Sequence, residues 1–393
     1  MIDKKVVLKK GKERSIQLNF HPWIFSGAIE SHSESILPGD LAYVYSFQGE
    51  FLALAYFQLE NSLSGRILSF DRKPIQEIIQ EKIQKAFQLR SSLMDMAYTN
   101  CFRLINAEED GLPGLIVDCY DQVLVIQINT AGMEKLKSLV VECLIQEINP
   151  VSIYEKSTSK AREQERLLPE EGFLYGKEVI EVIVKENGVS LIVSVVEGQK
   201  TGFFLDQREM RKKVGELSKG RHLLNCFSYS GGFSLQGLKG GANHVTSIDC
   251  CAKATSLCER NSDLGGFSKE KHKIIQEDVF DFLKRDSLRS YDFIILDPPA
   301  FAKKRQDVEP ATQGYRQINQ VVFEKCLPGT LLLTCSCSYF VDVALFQQVI
   351  FQAASVAKRE VKILSRHIQA LDHPISLYHP EGDYLKSLLL WVE

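Results

Sequence analysis

No two of the ten cysteines form a Cys-x-x-Cys pair, so a structural zinc site has no support in the sequence. The two close pairs, Cys250–Cys251 and Cys335-Ser336-Cys337, do not have zinc-finger spacing, and no metal is expected. Long apolar runs are also missing. Nowhere do about 18 apolar residues follow one another, as a membrane-crossing helix would require. The opening MIDKKVVLKKGKERS has no apolar core of signal-peptide length. A cytoplasmic location away from membranes is therefore expected, with the cysteines as free thiols. Charge of one sign is not in excess. A net charge of −3 counts against a protein that coats nucleic acid, but it leaves room for local basic patches. One such patch is Lys4, Lys5, Lys9, Lys10, Lys12 and Arg14, opposed only by Asp3 and Glu13; a solvated basic terminus would look the same. There is no internal repeat, and the composition does not suggest disorder.

What is present is an ordinary globular composition, 45% hydrophobic and 25% charged. At 393 residues the chain exceeds the roughly 250–300 residues that one core supports, so two or three domains are expected. Over residues 1–70, short apolar runs such as LAYVYSF, FLALAYF and SGRILSF alternate with turn residues, which suggests a small β-barrel or sandwich. Asp71 to Pro74 reads as a boundary. Helical spacing of Ile75, Ile78, Ile79, Ile83, Ala86 and Phe87 predicts an amphipathic helix over Ile75–Ala97. Two strand-like runs then flank a turn at Asp118–Gln122, and a second helix spans about 131–148. The polar stretch 156–172 reads as a loop or linker.

The pattern changes after about residue 184. LIVSV (191–195), HLLNCF (222–227), HVTSID (244–249), HKIIQED (272–278), YDFIILD (291–297) and GTLLLTCSCS (329–338) are strand candidates. Most are almost wholly apolar, as strands covered on both faces of a parallel sheet should be. Residues 250–261 and 342–357 read as helices. Strands alternating with helices predict an α/β fold, an open doubly wound sheet.

Ligands of such sheets bind beyond the carboxyl ends of the strands. The first of these ends runs into Asn225-Cys226-Phe227-Ser228-Tyr229-Ser230-Gly231-Gly232, where glycine permits a sharp turn and close approach of a ligand. Asp249 closes the next strand and is placed to accept both hydroxyls of a ribose. Asp278 follows, near an adenine, and then Asp297-Pro298-Pro299. The glycine loop lacks GxGxxG and any Gly-Lys-Ser/Thr, which argues against a dinucleotide or nucleoside triphosphate. A nucleoside without phosphates fits better, and S-adenosylmethionine is the common one. An ordinary tight turn would explain the glycines alone, but not the loop together with Asp249 and Asp297.

On HPWIFSGAI (21–29), EEDGLPGLIVD (108–118), GQKTGFFLDQR (198–208), LNCFSYSGGF (224–233), EDVFDFL (277–283), LDPPAF (296–301), TCSCS (334–338) and HPEGDYLK (379–386), nearly the whole chain resembles the bacterial 23S ribosomal RNA cytosine-5 methyltransferases of the large-subunit methyltransferase I type. The resemblance implies a PUA RNA-binding domain over residues 1–72, a small α/β middle domain over 73–184 and a class I, Rossmann-like methyltransferase domain over 185–393. It implies S-adenosyl-L-methionine as co-substrate, held by Phe203, Phe204, Gln207, Asn225, Phe227, Ser230, Gly231, Asp249, Asp278 and Asp297. It implies 23S ribosomal RNA as partner and leaves a homodimer open. One departure is Ala300, where relatives carry lysine in DPPKF.

Carbon 5 of cytosine is a poor nucleophile until a thiolate adds to carbon 6. Cys337 occupies the position of the family's nucleophile, although free cysteine is more often a small buried hydrophobe. Cys335, deeper in the strand, reads as structural. Asp297 would hydrogen-bond the cytosine ring and steady its charge, or merely cap its turn. A second group of RNA cytosine-5 enzymes carries a further cysteine after the fourth strand. LDPPAFAKK has none, so the base that removes the carbon-5 proton is unassigned. Lys303-Lys304-Arg305 would track an RNA backbone or form a solvated loop. Three other functions compete: an RNA methyltransferase with another target atom, such as guanine N7; a small-molecule methyltransferase; and a non-catalytic RNA-binding factor.

Overall fold

The computed structural model describes residues 2–285 and 287–393. The chain forms two compact units. One comprises Met1–Val184, Val193–Leu205 and Leu371–Gly382; the other comprises Lys185–Ile192, Asp206–Ala370 and Asp383–Glu393.

The first unit begins with a six-stranded sheet in the order Trp23–Phe25, Leu63–Ser69, Phe51–Phe57, Asp40–Tyr45, Lys5–Leu8, Ile29–His32. Alternate residues Val6, Leu8, Ala42, Val44, Ala53, Ala55 and Phe57 point into one core, as a period of two requires. A five-stranded sheet follows, in the order Glu170–Gly176, Ser152–Ser157, Val123–Ile128, Leu115–Tyr120, Cys101–Asn106. Its apolar side packs against the helices Ile75–Leu93 and Ala131–Ile148 through Ile79, Ile83, Val140 and Leu144. The second helix starts where the Thr130 hydroxyl accepts the Met133 N–H and stops at Asn149, which is left-handed at φ 52°.

Three details differ from the sequence reading. The helix from Ile75 ends at Leu93, because Met94 turns to extended backbone. The region after it holds three strands rather than two. The polar stretch 156–172 is ordered: it completes one strand, forms the short helix Ala161–Gln164 and begins another strand. Its buried residues are themselves polar. Arg162 meets Glu134 at 2.8 Å and Glu165 meets Arg66 at 2.8 Å, so pairing, not apolar character, fixes them inside.

The second unit is built on a seven-stranded sheet: His272–Gln276, His244–Asp249, His222–Cys226, Phe293–Leu296, Thr330–Ser336, Lys386–Val392, Val361–His367. The first five run parallel. Lys386–Val392 is antiparallel to both its neighbours. Phe293, Ile294, Ile295 and Leu296 are all fully buried, which is the burial expected of a strand with both faces covered. Val189–Ser194, grouped by its apolar run with these strands, instead pairs with Glu181–Glu186 in a two-stranded ribbon. The chain leaves His222–Cys226 in one direction and returns to the other side at Phe293–Leu296. The order therefore reverses between these two strands, and a crevice at such a reversal is where open α/β sheets bind ligands.

Candidate active site

Asn225 and Leu296 lie near the ends of those two central strands, with Cys226 opposite Leu296 in the register. Beyond Cys226 the backbone takes left-handed conformations at Phe227 (φ 60°), Tyr229 (φ 46°) and Gly231 (φ 86°). For the two non-glycine residues this costs about 1–2 kcal/mol each. It is offset by fixed hydrogen bonds: Ser228 N–H to the Ile248 carbonyl at 2.9 Å, and Tyr229 N–H to Asp249 Oδ2 at 2.9 Å. Gly231 is required twice over, since a β-carbon there would also come within 2.6 Å of the Cys258 sulfur. Asp249 accepts the Cys251 N–H on its other oxygen at 2.9 Å, so the carboxylate is locked at the strand end with lone pairs to spare.

The strand ends are polar inside. Asn225 donates to Ser234 at 2.8 Å; Ser234 contacts Ser247 at 2.6 Å; Ser247 contacts His272 Nε2 at 2.7 Å; His272 Nδ1 meets Ser262 at 2.9 Å. Burial pushes the His272 pKa down to about 4, so the ring is neutral and one nitrogen donates while the other accepts. This buried relay fixes the Asn225 amide nitrogen and leaves its oxygen over. Asn225 Oδ1, Gln207 Oε1, Ser228 Oγ and Ser230 Oγ are all buried without a hydrogen-bond partner among the described residues. Left bare, each would cost about 1–3 kcal/mol. Two amide oxygens and two hydroxyls left over near these strand ends indicate a polar ligand.

The other side of the switch carries Asp297, half-buried, whose Oδ1 accepts the Gln207 amide at 3.1 Å. Cys337 follows the end of Thr330–Ser336, and its sulfur lies 3.9 Å from the Pro298 carbonyl oxygen. Cys335 is fully buried; burial, with the Asp297 charge, pushes its thiol well above the usual range. Lys386 was not singled out from the sequence, though it closes HPEGDYLK. It sits opposite Ser336 on the neighbouring strand and donates at 2.7 Å to the carbonyls of Ser338 and Tyr384. Burial lowers its pKa to about 8, against the opposing pull of Cys337, Asp383 and Asp342.

The comparisons with known proteins decide the family. A family model described as S-adenosylmethionine-dependent methyltransferase matches residues 115–368, and a PUA-like domain model matches residues 6–70. The chain is 38% identical over 387 residues to the ribosomal RNA large subunit methyltransferase I of Aliivibrio fischeri, covering 97% of this chain and 98% of the relative. The protein of that name from Vibrio cholerae is 39% identical over 388 residues, with the same coverage. The chain belongs to the large-subunit ribosomal RNA methyltransferase I family. Among solved structures, it is similar to a candidate S-adenosylmethionine-dependent methyltransferase from Streptococcus mutans, with a TM-score of 0.83 and 23% identity over 100% of both chains. It is also similar to a candidate methyltransferase complexed with SAH, with a TM-score of 0.84 and 23% identity over 100% of both chains. The fold is thus a class I methyltransferase with an N-terminal PUA-like domain, and the co-substrate of this methyltransferase is S-adenosylmethionine.

The strand-end residues fit that co-substrate. It offers two ribose hydroxyls, an adenine amino group and an ammonium, and the strand ends offer the Asp249 carboxylate, two unmet amide oxygens and two unmet hydroxyls. The structure brings Gln207 to Asp297, and the Ser228–Gly231 loop to Asp249. Phe227 packs edge-on to Phe280, with centroids 6.4 Å apart. Asp278 is exposed and its Oδ1 accepts the Asp281 N–H at 3.2 Å, so part of its capacity caps the helix Val279–Arg285. Phe203 and Phe204 belong to the other unit, where the Phe203 N–H donates to the Tyr120 hydroxyl at 3.0 Å and Lys200 lies 4.7 Å from the Phe204 ring. Ala300 presents only a methyl group. Lys303, Lys304 and Arg305 are exposed.

Proposed function

We propose that this methyltransferase methylates carbon 5 of a cytosine in 23S ribosomal RNA, with Cys337 as the nucleophile. The observation that carries the reading is a half-buried cysteine just past a parallel strand, against the Asp297-Pro298-Pro299 strand end and next to a buried lysine. The names of its relatives and the PUA-like domain support ribosomal RNA as substrate. Gln207, Asn225, Ser230, Gly231, Asp249 and Asp278, together with Phe203, Phe204 and Phe227, are assigned to the co-substrate. The three-part division at residues 72 and 184 belongs to the same proposal.

The Cys337 thiolate adds to carbon 6 of the ring, and the electrons of the carbon 5–carbon 6 double bond become available at carbon 5. When bound, S-adenosylmethionine supplies an electrophilic methyl group to that carbon. A base then removes the carbon-5 proton, the carbon 6–sulfur bond breaks, and the thiolate is regenerated. Asp297 holds the ring through its nitrogen or exocyclic amine and steadies the charge that follows addition. The buried ammonium of Lys386 favours the thiolate over the thiol and, through the Ser338 carbonyl, holds the segment that carries it. Cys335, buried with a raised pKa, stays protonated and structural.

The test is transfer from labelled donor to unmodified 23S ribosomal RNA, with mass spectrometry of the nucleosides. The wild type should give 5-methylcytidine, and Cys337→Ala should lose at least about 10³-fold in rate. A different methylated nucleoside, made equally well by the variant, would overturn both the target atom and the nucleophile.

A further inference from the structure

Resting on the RNA reading, one feature of the first unit gains a role that the chemistry at Cys337 does not use. A cleft of about 540 Å³ opens beside the helix Ile75–Leu93. Phe20, Phe70 and Tyr378 line it, and the Phe20 ring stands edge-on to the other two at 5.4 and 5.3 Å. These rings remain 44%, 40% and 51% exposed, although aromatic side chains are the usual material of cores. Phe20 is also left-handed at φ 47°, a strained conformation for a bulky residue.

The helix contributes Lys82 and Lys85 to the same cleft. Neither takes part in a hydrogen bond or ion pair among the described residues. The Lys82 ammonium lies over Gly111, where a β-carbon would come within 2.2 Å of it. Burial, then the charge of Lys85, lowers the pKa of Lys82, and the opposing charges of Asp110 and Glu81 do not restore it. Of the five carboxylates that line the cleft, Asp71 is exposed and the other four are already engaged: Glu81 pairs with Lys73 at 2.5 Å and Glu108 accepts from Trp23 Nε1 at 3.0 Å. Glu109 accepts from the Ser376 N–H at 2.5 Å and pairs with His379 at 2.7 Å, and Asp110 holds Arg90 at 2.6 Å.

Exposed aromatic faces beside a partly desolvated ammonium with no direct ion-pair partner among the described residues are the chemistry that recognises a single-stranded nucleotide: the base stacks and the phosphate pairs with the ammonium. We propose that this cleft anchors one nucleotide of the RNA substrate, its base against Phe20 and Tyr378 and its phosphate on Lys82. It is a substrate-anchoring subsite in the unit that does not carry Cys337.

The test measures binding of a short unstructured oligoribonucleotide to the full chain as salt is varied, with S-adenosylmethionine affinity as the check on folding. Lys82→Gln should weaken binding about tenfold and reduce the slope of log affinity against log salt by about one. The double variant Phe20→Leu, Tyr378→Leu should weaken it about 10–100-fold. An oligonucleotide lacking bases should feel Lys82→Gln but not the aromatic changes. Donor affinity should stay unchanged throughout. Unaltered RNA affinity and salt slope in variants that still bind donor would overturn the subsite while leaving the ribosomal RNA reading intact. A wild type that binds no RNA, yet methylates some other acceptor, would overturn both.

Discussion

The five-stranded sheet and the strand-end loops of the seven-stranded sheet both bury polar side chains, but they treat them in opposite ways. Around the five-stranded sheet the buried arginines are matched. Arg90 forks onto Asp110 at 2.6 and 2.8 Å and also donates to the carbonyls of Arg103 and Asp372. Arg103 does the same to Asp118 at 2.6 and 3.1 Å. Lys137 is shared by Glu134, Glu155 and Glu170, which fills the one carboxylate cluster of metal-like spacing among the described residues. At the strand ends, Gln207, Asn225, Ser228 and Ser230 each bury a polar oxygen with no hydrogen-bond partner among the described residues, beside a backbone bent into left-handed turns. A satisfied network rigidifies; an unsatisfied one is stable only if something else completes it. The first region is scaffold, and the second is the one we propose the co-substrate completes.

The largest expected effect breaks the scaffold side. Arg90→Met leaves Asp110 buried without its partner and should cost about 3–5 kcal/mol of stability, read from the denaturant midpoint. Donor affinity of the folded protein should not move; if it does, the two regions are not separable in this way. Lys386→Met acts at the other side and should lower the turnover rate roughly 100-fold with little change in KM. Because burial depresses the Lys386 pKa to about 8, the cation is present below that pH and lost above it. Wild-type turnover should therefore fall as pH rises through about 8, and the variant should lack that falling limb. A purely structural lysine would change the melting temperature and leave the profile's shape alone. Asp249→Asn is the gentlest of the three. It keeps the side chain's size, but one oxygen becomes an amide nitrogen that can accept neither a backbone N–H nor a ribose hydroxyl, and donor affinity should drop about 10-fold, or roughly 1–2 kcal/mol.

The same contrast explains what could be read from the sequence. Strands such as Phe293–Leu296 were legible because burial on both faces demands an unbroken apolar run. The helix Ala131–Ile148 was legible over its whole length, and the structure adds the Thr130 cap at its start. The stretch 156–172 looked like a loop because Lys156, Arg162 and Glu165 are buried by pairing, which no hydrophobic pattern records. LIVSV was apolar enough for the sheet, yet only tertiary pairing decides that Val189–Ser194 joins a ribbon instead. Lys386–Val392 is as apolar as Thr330–Ser336, but its antiparallel sense depends on where the chain returns, and so Lys386, opposite Ser336, went unnoticed. The residues around Asp249 and Asp297 were visible from strand ends alone. The aromatic–lysine cleft was not, because Phe20, Lys82 and Tyr378 are far apart in the chain.

The central claim is that Cys337 bonds to carbon 6 of the target base. The most direct measurement uses a ribosomal RNA fragment carrying 5-fluorocytosine at the modified position, incubated with the protein and S-adenosylmethionine. Fluorine cannot leave as the proton does, so the carbon–sulfur bond should persist after methyl transfer. A denaturation-resistant complex that maps to the Cys337 peptide, and that is absent in Cys337→Ala, is the predicted result. Methylation without any adduct, or an adduct on Cys335, would contradict it.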